Sequence, residues 1–176
     1  KKVKMKFFKS LFFINMLSGS DYIIDFLQSK KVEHIFGYSG GSNLHLLDKI
    51  GKSPIKVIVN RHEQFSGHSA EGYAKSNNDI GFVLTTSGPG VTNMITPLQD
   101  AYSDSIPLFL ITGNVAKKNL GTQAFQEVNS TELTKPCTKW NYCIQDINEL
   151  PSILEKGYNI ALKGKKGPVH IDICSD

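Results

Sequence analysis

Cysteine is scarce in these 176 residues, and what little there is excludes two classes of protein. Cys137, Cys143 and Cys174 are an odd number with no CxxC spacing, so neither a disulfide framework nor a zinc knuckle is encoded, and a reducing compartment such as the cytoplasm is the simpler setting. Long apolar runs are missing too. The run over residues 11–14 is far too short to span a bilayer, so no membrane span is expected. A basic face is also absent: the net charge is +4, but five lysines crowd into the first nine residues and the others are scattered among acids, which argues against nucleic acid as a partner. No GxGxxG opens a helix and no Gly-Lys-Ser follows a glycine loop, so the common phosphate cradles are excluded. There is no internal repeat and no low-complexity tract. What remains is 40% apolar with fifteen glycines, the make-up of one globular α/β domain.

The first seventeen residues, KKVKMKFFKSLFFINML, carry lysines and apolar side chains but no acid. Three readings fit them: an organelle-targeting segment, an interfacial helix with a basic face, or an extension upstream of a natural start at Met16. They are set apart as a segment, 1–17, from a folded domain over 18–176.

Within that domain the hydrophobic pattern alternates strand, loop and helix. Strands are predicted over 32–36, 56–59, 81–85, 107–112 and 169–173, with an edge strand over 137–144. The stretch ending Val57-Ile58-Val59 reads as a buried strand. Helices are predicted from Ser18, where Ser18 or Ser20 can cap and Asp21 suits the first turn, and from Leu44 to a stop at Gly51. Further helices are predicted after Gln64, over 91–101 and over 149–162. Residues 113–135 lack periodicity and read as a long functional loop holding one short helix. The helix after Gln64 has a side paved with Ser66, Gly67, Ser69, Ala70, Gly72 and Ala74, which suits tight packing across a subunit boundary. Repeated strand-loop-helix units imply a mostly parallel six-stranded sheet between two layers of helices, a three-layer α/β fold.

Ligands of such sheets sit beyond the carboxyl ends of the strands, so the turns after the strands are where chemistry is expected. Three stand out. Asn60-Arg61-His62-Glu63-Gln64 follows one strand, and Glu63 is the carboxylate placed to act; equally, an acid there suits the positive end of a helix. Gly37-Tyr38-Ser39-Gly40-Gly41 matches G-x-S-x-G, which would make Ser39 a nucleophile completed by Asp104 and His170, but His170 lies inside an apolar strand. Ser87-Gly88-Pro89-Gly90 is a turn that lets backbone come close to a neighbour. His62, Glu63 and His68 do not form a zinc-protease pair. Their spacing is H-E-x-x-x-x-H, and ligands six apart on a helix point in different directions.

Taken together, IFGYSGGS, VNRHEQFSGHSAEGYA, LTTSGPGVTN, DAYSDSIPLFLITGNV, GTQAFQEV, TKPCTKWNY and GPVHIDI resemble, in order and approximate spacing from Ser18 to the end, the N-terminal domain of thiamine-diphosphate enzymes of the acetolactate synthase (acetohydroxyacid synthase) type. The resemblance implies the thiamine-diphosphate-binding fold and a domain holding the aminopyrimidine ring of that cofactor. Glu63 matches the activating glutamate. Its carboxyl group hydrogen-bonds ring nitrogen N1′ and favours the imino form of the 4′-amino group, the base that readies the cofactor for attack on pyruvate. By the same resemblance Tyr38, Ser39, Gly40, Thr86, Pro89, Gly90 and Asn93 line the pyrimidine pocket, and Gln126 reaches the cofactor or substrate region with Phe125 as its apolar neighbour.

The match has departures. Ser39 stands where the family usually has proline, and Asn114 and Ala116 stand where it more often has glutamine and proline. Nothing in the chain resembles the family's other two domains, whose GDG and downstream Asn hold magnesium on the diphosphate, so Mg2+ and FAD are implied by the family with no site for either in this chain. The implied partners are a small keto acid and a second chain, either another copy or a full-length relative. The alternative is a catalytically incompetent interaction or regulatory module of the same fold.

Overall fold

The computed structural model describes residues 18–175; the basic segment 1–17 lies outside them. Six strands form a sheet in the order β2-β1-β3-β4-β6-β5: β1 His34–Gly37, β2 Lys56–Val59, β3 Gly81–Thr85, β4 Leu108–Gly113, β5 Trp140–Ile144 and β6 Val169–Ile173. Every pairing is parallel, so all six carboxyl ends lie along one edge. The β1 chain leaves toward β2 on one side and the β3 chain toward β4 on the other. The connections therefore part between β1 and β3, where an open sheet of this kind leaves a crevice.

The strands are apolar throughout because both faces are covered, and alternate residues serve opposite layers. Phe82, Leu84, Phe109, Ile111, Val169 and Ile171 face the helices α1 (Gly19–Ser29), α2 (Leu44–Gly51) and α7 (Leu150–Leu162), with Leu27, Ile50 and Leu154 among the residues filling that layer. Val83, Leu108 and Leu110 face α3 (Glu63–Asn77) and α5 (Ile95–Asp104), which contribute Ala70, Ala74, Leu98 and Ala101. Burying a leucine or phenylalanine of this kind is worth roughly 1.5–3 kcal/mol, so two such layers supply most of what holds the sheet. Ser18 and Asp21 form a reciprocal cap at the start of α1, each side chain accepting from the other's backbone N–H.

Several expectations are corrected. β2 is an edge strand with Ile58 38% and Val59 69% exposed, because crossover order puts it outermost and an apolar run cannot encode that order. The helix expected over 91–101 is two: α4 (Pro89–Thr92) and α5, separated at Asn93 and Met94, where the Met94 N–H bonds back three residues to Val91 O and tightens the turn. β5 begins at Trp140, after a short 3-10 turn over Lys135–Cys137. Among the small residues of α3, Gly67 serves packing inside the chain. A Cβ on Gly67 would stand 2.4 Å from the ring of Pro97, so the glycine is what lets α5 lie against α3. The loop after β4 holds a 3-10 turn at Lys117–Asn119 and a short helix, α6 (Ser130–Thr134). Among the described residues no helix is long and apolar enough to cross a membrane.

Candidate functional site

Glu63 is the first residue of α3, directly beyond the carboxyl end of β2. His62 caps the helix in extended backbone, its Nδ1 accepting from Gln64 N–H at 3.2 Å. A carboxylate there sits in the positive field of the helix start. Glu63 is 92% buried, being only 8% exposed, yet it is not in the apolar interior: Asn93 Nδ2 donates to its Oε2 at 2.9 Å. The break between α4 and α5 is what aims Asn93 at it. With one oxygen held, Oε1 carries no hydrogen bond among the described residues. A carboxyl group fixed by one oxygen and free at the other can accept from, or share a proton with, one further group in a fixed direction.

The loops after β1 and β3 are stitched together beside it. Asn43 is buried and latches the first loop, its Nδ2 donating to Tyr38 O at 3.0 Å while its Oδ1 accepts from Gly40 N–H at 2.9 Å. Ser42 Oγ lies 2.9 Å from Thr86 Oγ1 and accepts from Ser87 N–H at 3.0 Å. Gly40 fits only because it lacks a Cβ, which would stand 2.4 Å from the Thr86 side chain. Gly88 then turns the chain at φ 57°, ψ −112°, a conformation glycine alone takes without strain, and Pro89 starts α4. A Cβ on Gly88 would stand 2.8 Å from Gln126 O, so the loop after β4 packs its backbone against this turn. Gln126 is itself left-handed at φ 60°, and Phe125 beside it is 88% exposed.

The residues expected from the sequence therefore gather at one edge in three contacts: Glu63 with Asn93, Gly40 with Thr86, and Gly88 with Gln126. Tyr38, Ser39 and Pro89 are exposed on the rim, and Gly90 is buried with its hypothetical Cβ 3.0 Å from Thr86. The Thr86 hydroxyl is occupied by Ser42 and so ties two loops. The hydrolase arrangement is ruled out. His170 is fully buried between Thr112 and Thr134, and Asp104 pairs at the surface with Lys75 at 3.0 Å, so neither faces Ser39.

Two groups escaped the sequence reading. Ser42 and Asn43 are the pins of the first loop, signalled only by small polar residues at a helix start. The second group is a polar network under the loop after β4. The buried Asp172 accepts from Thr112 Oγ1 and Asn114 Nδ2, each at 2.5 Å, and from the Ser130 hydroxyl. It anchors both ends of the segment bearing Gln126. Its signal was HIDI in β6, two polar residues on one face of an otherwise apolar strand. Burial holds His170 down to a pKa of about 4 and pushes the Cys143 thiol well above its usual range, so the first is neutral and the second inert near pH 7. A separate cavity of about 780 Å³ lies behind the β1–α2 turn, lined by Asn43, Lys49, Thr112, Asp146 and Cys174 among others; it does not include Glu63.

An open parallel sheet with a pinned carboxylate at the carboxyl edge of its strands defines an α/β ligand-binding domain. The comparisons say which: residues 17–133 match the family described as thiamine pyrophosphate enzyme, N-terminal TPP binding domain, and the chain belongs to that family. Thiamine pyrophosphate is thiamine diphosphate under its other name. The chain is similar to an acetolactate synthase of Arthrospira platensis (44% identical, over 93% of this chain and 29% of the relative). It is also similar to the acetolactate synthase large subunit of Lactococcus lactis (46%, 90% and 28%) and to the mitochondrial acetolactate synthase catalytic subunit of Saccharomyces cerevisiae (40%, 91% and 23%). It spans less than a third of the length of these relatives.

Proposed function

We propose that the chain is the pyrimidine-holding part of an acetolactate-synthase-like enzyme acting on pyruvate or a related small keto acid. The observation that carries this is the Glu63–Asn93 contact at the carboxyl edge of the sheet. Glu63 would accept from ring nitrogen N1′ of the cofactor at Oε1, and Asn93 would keep the carboxyl from rotating away. Gly40, Thr86 and Gly90 would line the flat ring, with Tyr38, Ser39 and Pro89 at the rim and Gln126 with Phe125 at the mouth. When bound, thiamine diphosphate supplies the electron sink that lets a 2-keto acid lose carbon dioxide and join a second keto acid. The residues of this chain orient the ring and hold the proton that the activating step moves.

The other half of the crevice comes from a second polypeptide, another copy or a longer relative, and the diphosphate, its magnesium and any FAD are held by family domains that these 176 residues do not resemble. The exposed Val59, Phe65 and Phe125 at the same edge suit such a companion. A reducing, cytoplasm-like compartment suits Cys137, Cys143 and Cys174, which form no disulfide among the described residues. The test is complementation. The chain is co-expressed with a full-length relative whose own activating glutamate is replaced, and acetolactate formation is measured. Activity should return, and Glu63→Gln should lower it by roughly 10²–10⁴-fold. Restored activity indifferent to Glu63→Gln would remove the assignment.

A further inference from the structure

Away from the crevice, three side chains meet between the outer faces of α3 and α5. His68 and Glu71 are three apart on α3 and so share a face, and Asp100 comes across from α5. His68 Nδ1 lies 3.1 Å from Glu71 Oε2 and 3.7 Å from Asp100 Oδ2, and one donor atom from each of the three residues falls within 4.8 Å of the others. Donors held at about 2.0–2.2 Å around a tetrahedral ion stand roughly 3.3–3.6 Å apart, so these separations need only small rotamer adjustments to close on one.

A second observation points to a ligand. The Glu71 side chain is only 6% exposed, and its Oε1 is buried without a hydrogen-bond partner, the one such carboxylate oxygen among the described residues. A buried carboxylate oxygen left bare is costly, and buried charges are ordinarily paired or bound to metal. The ion pairs that Glu71 and Asp100 make among the described residues are both with His68. Lys75, one turn further along, is taken by Asp104 at 3.0 Å. Two carboxylates thus face one imidazole, with Lys75 acting on both only from beyond ion-pair distance.

We propose that His68, Glu71 and Asp100 form a site for a divalent transition-metal ion of the zinc type. One ring nitrogen with two carboxylates is a borderline donor set, suited to zinc or cobalt, whereas calcium and magnesium take oxygen ligands throughout. Three protein ligands leave the fourth position to water, and Glu71 brings a buried carboxylate one of whose oxygens is otherwise unpaired. The ion fastens α3 to α5. Glu63 starts the first of these helices and Asn93 lies two residues before the second, so the metal steadies the frame of the Glu63–Asn93 contact from outside the crevice.

The experiment uses the untagged 176-residue chain, titrated with Co2+ and followed by visible absorption, with Zn2+ affinity measured by competition against a chromophoric chelator. His68→Ala and Asp100→Asn both replace partly exposed side chains, and circular dichroism checks that each variant is folded. One ion should bind per chain, with cobalt ligand-field bands and no thiolate charge-transfer band. Each substitution should weaken zinc at least about tenfold, the loss seen even when an outer partner of a ligand is removed. Absence of binding, affinity unchanged by both substitutions, or a thiolate band would each overturn the site. None of these readouts depends on acetolactate chemistry, so failure here leaves the proposed function standing, and the reverse also holds.

Discussion

In the proposed site Glu63 depends on Asn93, whose Nδ2 holds its Oε2. Replacing Asn93 by Ala removes the single donor to Oε2 and frees the carboxyl to turn to water, so the complemented enzyme should lose activity while the fold is kept. The same variant's unfolding curve should stay within about 1.5 kcal/mol of the parent, the usual worth of one hydrogen bond. His170 gives a pH prediction of definite sign. Its pKa is about 4 in the fold against 6.5 ordinarily, because burial disfavours the charged ring. The unfolded chain therefore takes up the proton first as pH falls. The stability from keeping His170 neutral is fully present above about pH 6.5 and is lost on the way down to about pH 4. Urea unfolding at pH 7, 5.5 and 4.5 should show the midpoint falling, and His170→Gln should flatten that slope.

At the scale of the element, α3 carries two glycines with opposite roles. A methyl on Gly67 meets Pro97 at 2.4 Å, so Gly67→Ala should destabilise by roughly 1–3 kcal/mol despite the better helix former. Gly72 has nothing within 4 Å of such a methyl, so Gly72→Ala should stabilise by roughly 0.5–1 kcal/mol. Thermal unfolding of the two variants side by side tests both signs. Gly88 is different in kind: at φ 57° and against the backbone of Gln126, a side chain meets strain and collision together. Gly88→Ala should release the loop after β4, and hydrogen exchange over residues 121–129 should rise several-fold while β3 and β4 stay protected.

At the scale of the molecule, the site is one-sided. Its carboxylate, wall and rim come from a single sheet edge, and the apolar side chains along that edge lie open to solvent. The isolated chain should therefore bind thiamine diphosphate weakly and without dependence on Mg2+, because nothing in these 176 residues resembles the motif by which the family holds the diphosphate. Calorimetry that found tight, magnesium-dependent binding to the 176 residues would contradict the half-site reading. The two apolar layers, by contrast, are complete within the chain, so the domain should unfold as one cooperative unit.

The linear order of residues settled what depends on near neighbours in the chain. Strand and helix periods, the Ser18–Asp21 cap, the turn at Gly88-Pro89 and the placing of Glu63 just past a strand are all local, and apolar strands already implied a sheet covered on both sides. What needed the third dimension is whatever depends on which strand lies beside which. That β2 is an exposed edge, that α3 spends Gly67 on α5, that Asn93 reaches Glu63 across thirty residues, and that Asp172 pins a loop anchored at residues 114 and 130 all follow from crossover order and packing. Those forces act between segments distant in sequence, and no local pattern encodes them.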